Sequence, residues 1–225
     1  MAGSLTMPGS AAHGDGREAM ARRTKEDAEQ TRKQLIDAAR TVFHQCGVSR
    51  STLEKIAQAA GLTRGAVYWH FKDKAELFFA MREDVFRPMV ERTDAFLFSE
   101  SYANPLDAIE ASLKEFFRVL EDCAVVREVF EIMISRCEYV DEFASVQEEA
   151  TRPAREFLEK IERIYQRAAD QGMLRAGLDP VDSARDTWAF TSGMLHLLLE
   201  CQLHGGLDQE IPRMISTHMA LRRRA

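Results

Sequence analysis

Residues 52–71 read TLEKIAQAAGLTRGAVYWHF. Ile56 and Ala57 sit on one face of a short helical stretch, Gly61 interrupts it, and Leu62 and Val67 recur at helical spacing beyond the break. Two short helices joined through a glycine, with small and aliphatic residues where they must meet, form a helix-turn-helix. Ala57 is small because the second helix has to cross close by. This local reading organises the rest of the chain.

Upstream, Leu35, Ile36, Ala39, Val42 and Phe43 recur at three and four, predicting a helix from about Lys25 to Gln45 that ends on a left-handed Gly47. Ser51 with Glu54 reads as a capping box for the second helix, and Thr63 or its neighbour opens the third, which runs through Trp69. Asp73 with Glu76 forms a second capping box at the head of a long fourth helix, which Pro88 is expected to kink or end. Farther on, Asn104-Pro105 and Asp179-Pro180 each place a capping side chain before a proline suited to a first helical turn. Apolar-periodic segments cover about 105–121, 124–138, 142–170, 179–204 and 208–222, and Pro153 is a candidate kink in the third of these. No run of five or more alternates as a strand would, so the fold is all-α. The boundaries predict a disordered extension over 1–21, a helix-turn-helix domain over 22–75 and a larger helical domain over 76–225. The Gly-, Ala- and Ser-rich stretch 1–20 has no apolar period with which to offset its ordering entropy, and Met20 marks an alternative start.

The net charge is −6, but it is unevenly spread. Residues 22–82 carry +5 and residues 83–225 carry −10, so a basic N-terminal third precedes an acidic body, as expected for a small DNA-binding module on a domain that does not touch DNA. No stretch approaches the roughly 18 apolar residues of a membrane span and no secretory leader is evident, so a cytoplasmic protein is expected. Cys46, Cys123, Cys137 and Cys201 are widely separated, without CxxC pairs or a zinc-type histidine spacing, and read as reduced thiols. No GxSxG, P-loop, HExxH or GxGxxG motif occurs, and pairs such as Glu148-Glu149 read as solvated helix faces, so neither an enzyme nor a cofactor is expected.

The run TRGAVYWHFKDKAELF, residues 63–78, closely resembles the recognition-helix signature of the TetR repressor family. The resemblance extends from Thr24 to about Glu83, takes in RRTKEDAEQTRKQLIDAA at 22–39, and is strongest to the AcrR/TtgR-like branch of multidrug-efflux repressors. Beyond Glu83 only the helical layout and CEYVDEF, Cys137 to Phe143, are similar to that branch. The resemblance implies a dimeric repressor that binds palindromic operator DNA and is released by a small apolar or aromatic effector. The alternative is a constitutive DNA-binding regulator without an inducer, for which some 140 further residues have no evident use.

A recognition helix offers side chains to base edges while its flanks hold phosphates. Thr63, Arg64 and Gly65 lie at its start, where Arg64 can contact guanine bidentately and Gly65 permits close approach. Ser51 and Thr52 can donate hydroxyls to phosphate at the start of the second helix. Tyr68, His70 and Lys74 match family positions that touch phosphate, whereas Trp69 and Phe71 are expected to pack the third helix against the first and fourth. The arm 22–25 can follow the DNA backbone or remain a basic tail.

The larger segment is rich in Phe, Met and Trp at helical spacing, and most of these residues fill a core. In the family the effector cavity lies among helices 4 to 8, which by position implies Met89, Phe117, Met133, Trp188 and Ser192, with Thr191 a second hydroxyl beside Trp188. Thr191 and Ser192 can orient a ligand or simply bond the carbonyl one turn back. The last two helices carry more apolar residues than one buried face requires. Family members pair these helices about a two-fold axis, which makes Leu195, Leu199, Leu203, Met214 and His218 the expected homodimer surface.

Overall fold

A computed structural model describes residues 15–139, 143, 146–200 and 207–224, and the described residues are helical almost throughout. The helices are α1 (Asp15–Cys46), α2 (Leu53–Ala59), α3 (Arg64–His70), α4 (Lys74–Leu97), α5 (Pro105–Asp122), α6 (Ala124–Ser135), α7 (Val146–Asp170), α8 (Pro180–Glu200) and α9 (Leu207–Ala220). The all-α expectation holds. Helix α1 begins at Asp15, ten residues ahead of the expected start and inside the stretch read as disordered; residues 1–14 lie outside the described residues, as do Cys201 and Leu203.

Local chemistry explains most helix ends. Thr52, Thr63 and Asp73 adopt extended backbone conformations and accept hydrogen bonds from the amides of Lys55, Ala66 and Glu76. Glu76 reaches one residue beyond the cap that a capping box would use, accepting from the Lys72 amide at 2.8 Å. The cap of α2 is thus Thr52 and not Ser51, whose hydroxyl is buried and donates to the Val48 carbonyl at 2.6 Å. Asn104 and Asp179 cap α5 and α8 through the amides of Leu106 and Asp182. Gly47 and Gly61 have φ of 80° and 67°, the left-handed region where a side chain would be strained, and there α1 and α2 stop. Helix α4 continues through Pro88 to Leu97 instead of ending there. The proline ring is exposed, so the helix face it disturbs is the solvated one.

Leu35, Ala39 and Phe43 of α1, Ile56 of α2, Val67 of α3, and Leu77 and Phe78 of α4 are fully or nearly fully buried together with Phe71. Each large side chain of this set contributes about 1.5–3 kcal/mol through removal from water. The buried residues run without a break from there into α5–α9. Two seams join the N-terminal helices to the rest. At α6, Arg40 pairs with Glu128 at 3.0 Å, His44 bonds Glu131 at 2.7 Å, and the Val48 amide donates to the Arg136 carbonyl at 2.9 Å. At α7, the buried Arg82 of α4 donates to the Glu149 carbonyl at 2.7 Å while its guanidinium lies over Phe79.

Candidate functional site

The first half of the site is the exposed face of α3. Thr63, Arg64 and Gly65 are all exposed at its N-terminal end, as the sequence predicts. Arg64 is 69% exposed and is not free to sweep: its Nε pairs with Glu54 Oε1 at 3.0 Å, and its guanidinium lies over the Tyr68 ring at 5.4 Å. Glu54 sits on α2, so the helix-turn-helix itself aims the arginine. Nothing crowds a Cβ at Gly65, the nearest atom being the Thr63 hydroxyl at 3.8 Å, so room inside the protein is not what requires glycine there.

Several expectations change. Ser51 is 2% exposed and its hydroxyl is committed to Val48, so it cannot serve as a phosphate donor, whereas Thr52 stays exposed. Lys74 turns inward: its Nζ donates to the carbonyls of Val48 at 3.1 Å and Ser51 at 3.3 Å and faces the Phe143 ring. The ammonium expected at a phosphate instead ties α4 to the turn before α2. Trp69, expected to pack inside, is 73% exposed beside Tyr68, with the His70 ring edge-on at 4.4 Å. Phe71 packs inside as expected, under the Arg32 guanidinium. Burial, reinforced by Arg32, lowers the His70 pKa, so that ring is neutral at pH 7 and offers one N–H.

The second half of the site is a cavity of about 120 Å³ lined by α4, α5, α6, α7 and α8. Its walls are mainly aromatic. Phe86 of α4 stacks on Phe130 of α6 at 4.7 Å, Phe116 of α5 meets Phe130 edge-on, and Phe157 of α7 approaches Trp188 of α8. Of the predicted lining residues, Met89, Trp188, Thr191 and Ser192 are present. Phe117 and Met133 are not. One residue along a helix turns a side chain by about 100°, so Phe116 faces the cavity and Phe117 the core, while Met133 packs outside the cavity with its carbonyl accepting from the Tyr139 hydroxyl. Thr191 takes the ordinary helical option, donating to the Thr187 carbonyl at 2.7 Å.

The residues expected at a dimer surface divide. Leu195 lines the cavity, and Leu199 and Met214 are half-buried at the edge of the core. His218 is half-buried, its ring stacking on Phe190 at 4.0 Å and sharing a hydrogen bond with Thr187 Oγ1, which in turn bonds the Tyr165 hydroxyl. Burial first, and Arg222 second, push its pKa down to about 4. Sequence reasoning also missed Glu54 as the partner of Arg64, the exposure of Trp69, and the Asp94–Lys160 pair at 2.7 Å on the cavity wall. The last joins α4 to α7 across 66 positions, a separation that no local period records.

A helix-turn-helix whose recognition helix exposes an arginine, carried on a larger helical body, marks the class of helix-turn-helix DNA-binding regulators. Residues 35–81 match the bacterial regulatory proteins of the tetR family. The regulator TtgR of Pseudomonas putida is 34% identical over 78% of this chain and 83% of its own length, and AcrR of Shigella flexneri is 36% identical over 78% and 81%. Among solved structures, NalD, the secondary repressor of the MexAB-OprM multidrug efflux pump in Pseudomonas aeruginosa, superposes with a TM-score of 0.79 at 30% identity, covering 88% of this chain and 98% of its own. The complex of SmeT with triclosan gives a TM-score of 0.71 at 32% identity, covering 87% and 92%. The chain belongs to the TetR family of transcriptional regulators and is related to its efflux-pump repressors. No described helix is long and apolar enough to cross a membrane.

Proposed function

We propose that this regulator binds palindromic operator DNA as a homodimer, represses a multidrug efflux system, and is released when a small apolar or aromatic molecule enters the cavity between α4 and α8. The observation that carries this reading is the reach of α4. It starts at Lys74, four residues after α3 ends, and its later turns put Phe86, Met89, Val90 and Thr93 on the cavity wall. One helix therefore touches both the DNA-reading unit and the space where a ligand would sit. A ligand that fits only one pose of α4 shifts the spacing of the two recognition helices and so weakens operator binding.

Support for the DNA contacts comes from the exposed cluster Thr52, Thr63, Arg64, Gly65 and Tyr68, with His70 supplying an N–H to phosphate and Trp69 in reach of the same surface. Efflux control is supported by the relatives, several of which are repressors of efflux pumps, and the ligand class by the aromatic cavity and by the triclosan complex of SmeT. A constitutive regulator would have no use for a cavity walled by five helices, which counts against that alternative. The half-buried leucines and methionine of α8 and α9 support pairing of these helices in a dimer.

The test is fluorescence anisotropy with labelled palindromic DNA from upstream of the gene, titrated with triclosan and a panel of dyes and antibiotics. Wild-type protein should bind the palindrome, and at least one cavity ligand should weaken binding about 5–150-fold. Arg64→Ala should lose about 1–3 kcal/mol of operator affinity and relax base preference. If Arg64→Ala bound with unchanged affinity and sequence preference, the assignment of α3 as the reading helix would fail.

A further inference from the structure

The cavity walls carry four hydroxyls within helices; two are satisfied internally, and a third, Ser192 of α8, is only half-buried. Thr93 Oγ1 donates to the carbonyls of Met89 and Val90, and Thr191 Oγ1 donates to that of Thr187. Ser112 on α5 is different. It is 1% exposed, lines the cavity, and its Oγ has no hydrogen-bond partner among the described residues. A serine within a helix ordinarily bonds the carbonyl one turn back. A buried hydroxyl left without a partner is costly, and each such group calls for an explanation.

We propose that Ser112 Oγ is the hydrogen-bonding subsite of the cavity and that the effector is a neutral, single-ring aromatic molecule bearing a hydroxyl, of the phenol class. The inference rests on the effector reading given above. The ring of such a molecule lies among Phe86, Phe116, Phe130 and Trp188, whose faces and edges suit an aromatic partner. Its hydroxyl meets the side chain that lacks a partner.

Charge and size narrow the class. Three charged side chains line the wall: Asp94 and Lys160 are closed on each other at 2.7 Å, and Glu156 is exposed and paired with Arg152 at 3.5 Å, so the wall offers no unpaired charge to hold an ionised ligand. At about 120 Å³ the cavity is slightly smaller than an engineered apolar cavity of about 150 Å³ that takes up benzene. The space therefore suits no more than about one ring, whose substituents are accommodated by small shifts of the wall side chains, and a larger molecule has to part α4 from its neighbours. Because Ser112 is on α5 and Phe86 on α4, a ring held at Ser112 bears directly on the helix that leads to the recognition unit.

The experiment is isothermal titration calorimetry of the full chain with 4-chlorophenol and 4-chlorotoluene, which have nearly the same shape and exchange a hydroxyl for a methyl. Wild-type protein should bind 4-chlorophenol at least tenfold more tightly, equivalent to about 1.4 kcal/mol. Ser112→Ala should bring the two within about threefold of each other, and Ser112→Thr, which keeps a hydroxyl, should restore part of the preference. Equal binding of both compounds by the wild type, as when a water already satisfies Ser112, would overturn the subsite and leave the effector reading standing. Survival of the full preference in Ser112→Ala would assign the hydroxyl to Asp94 and overturn the subsite as well. If neither compound bound while the protein still bound its operator, the single-ring inference would be overturned, and the effector reading would stand or fall separately on the triclosan, dye and antibiotic titrations.

Discussion

His218 predicts a specific acid sensitivity. Its imidazole stacks on Phe190 at 4.0 Å, shares a hydrogen bond with Thr187 and has Arg222 nearby, and its pKa is lowered to about 4. The unfolded chain takes up this proton near pH 6.5, whereas the folded chain resists it down to about 4. Stability present above about pH 6.5 is therefore lost progressively as pH falls, with the loss complete near pH 4. Between pH 7.5 and 5.0 the two-site expression gives an upper value of about 2 kcal/mol, and partial solvation of the ring reduces it to about 1–2 kcal/mol. With a urea dependence of about 1–3 kcal/mol per M, the midpoint should fall by roughly 0.5–1 M. His218→Gln removes the titration and should lose distinctly less over the same interval, although it starts less stable because the stack on Phe190 is gone. Urea unfolding of both proteins at pH 7.5, 6.0 and 5.0, at one fixed concentration, measures the difference. Glu110 does not confuse the result. Burial alone would raise its carboxyl, but hydrogen bonds from Lys114, Arg223 and Ser216 outweigh it and hold the pKa at about 2, so its contribution is lost only as pH falls below about 4.5. Equal losses in wild type and His218→Gln between pH 7.5 and 5.0 would refute the reasoning.

Leu199→Glu or Met214→Glu should yield monomers in sedimentation that no longer bind the palindrome at physiological salt, since one half-site offers too few phosphate contacts; a variant that stays dimeric would move the interface elsewhere. Lys74→Met should lower the melting temperature, because it frees the carbonyls of Val48 and Ser51, and should weaken binding to all DNA sequences alike. Unchanged stability would restore Lys74 to a role on DNA alone.

The helix-turn-helix was legible because its signals are local. Gly47 and Gly61 stop helices through their own backbone freedom, and Asp73 with Glu76 caps α4 within four residues. The reach of α4 from the recognition unit to the cavity also follows from its apolar period. What was misread depends on phase or on distant partners. Ser51 and Thr52 are neighbours of the same chemistry, and only the direction of the incoming turn decides which one caps α2 and which is buried. Phe116 and Phe117 are equivalent in sequence, yet one turns to the cavity and the other to the core. Trp69 looks like a core residue by composition, but α3 is short and already buries Val67, which leaves the next two side chains outside. The inward turn of Lys74 and the sequestration of His218 both come from residues 23 to 31 positions away.

The central claim is that cavity and operator compete through α4, and coupling between two binding sites is reciprocal. The most direct measurement is the dissociation constant of one cavity ligand, by calorimetry, for the free protein and for the protein saturated with its operator. Operator DNA should weaken ligand binding by the same factor, about 5–150-fold, by which the ligand weakens operator binding. Ligand affinity that is identical in the free and DNA-bound protein would contradict the account, whatever either site binds on its own.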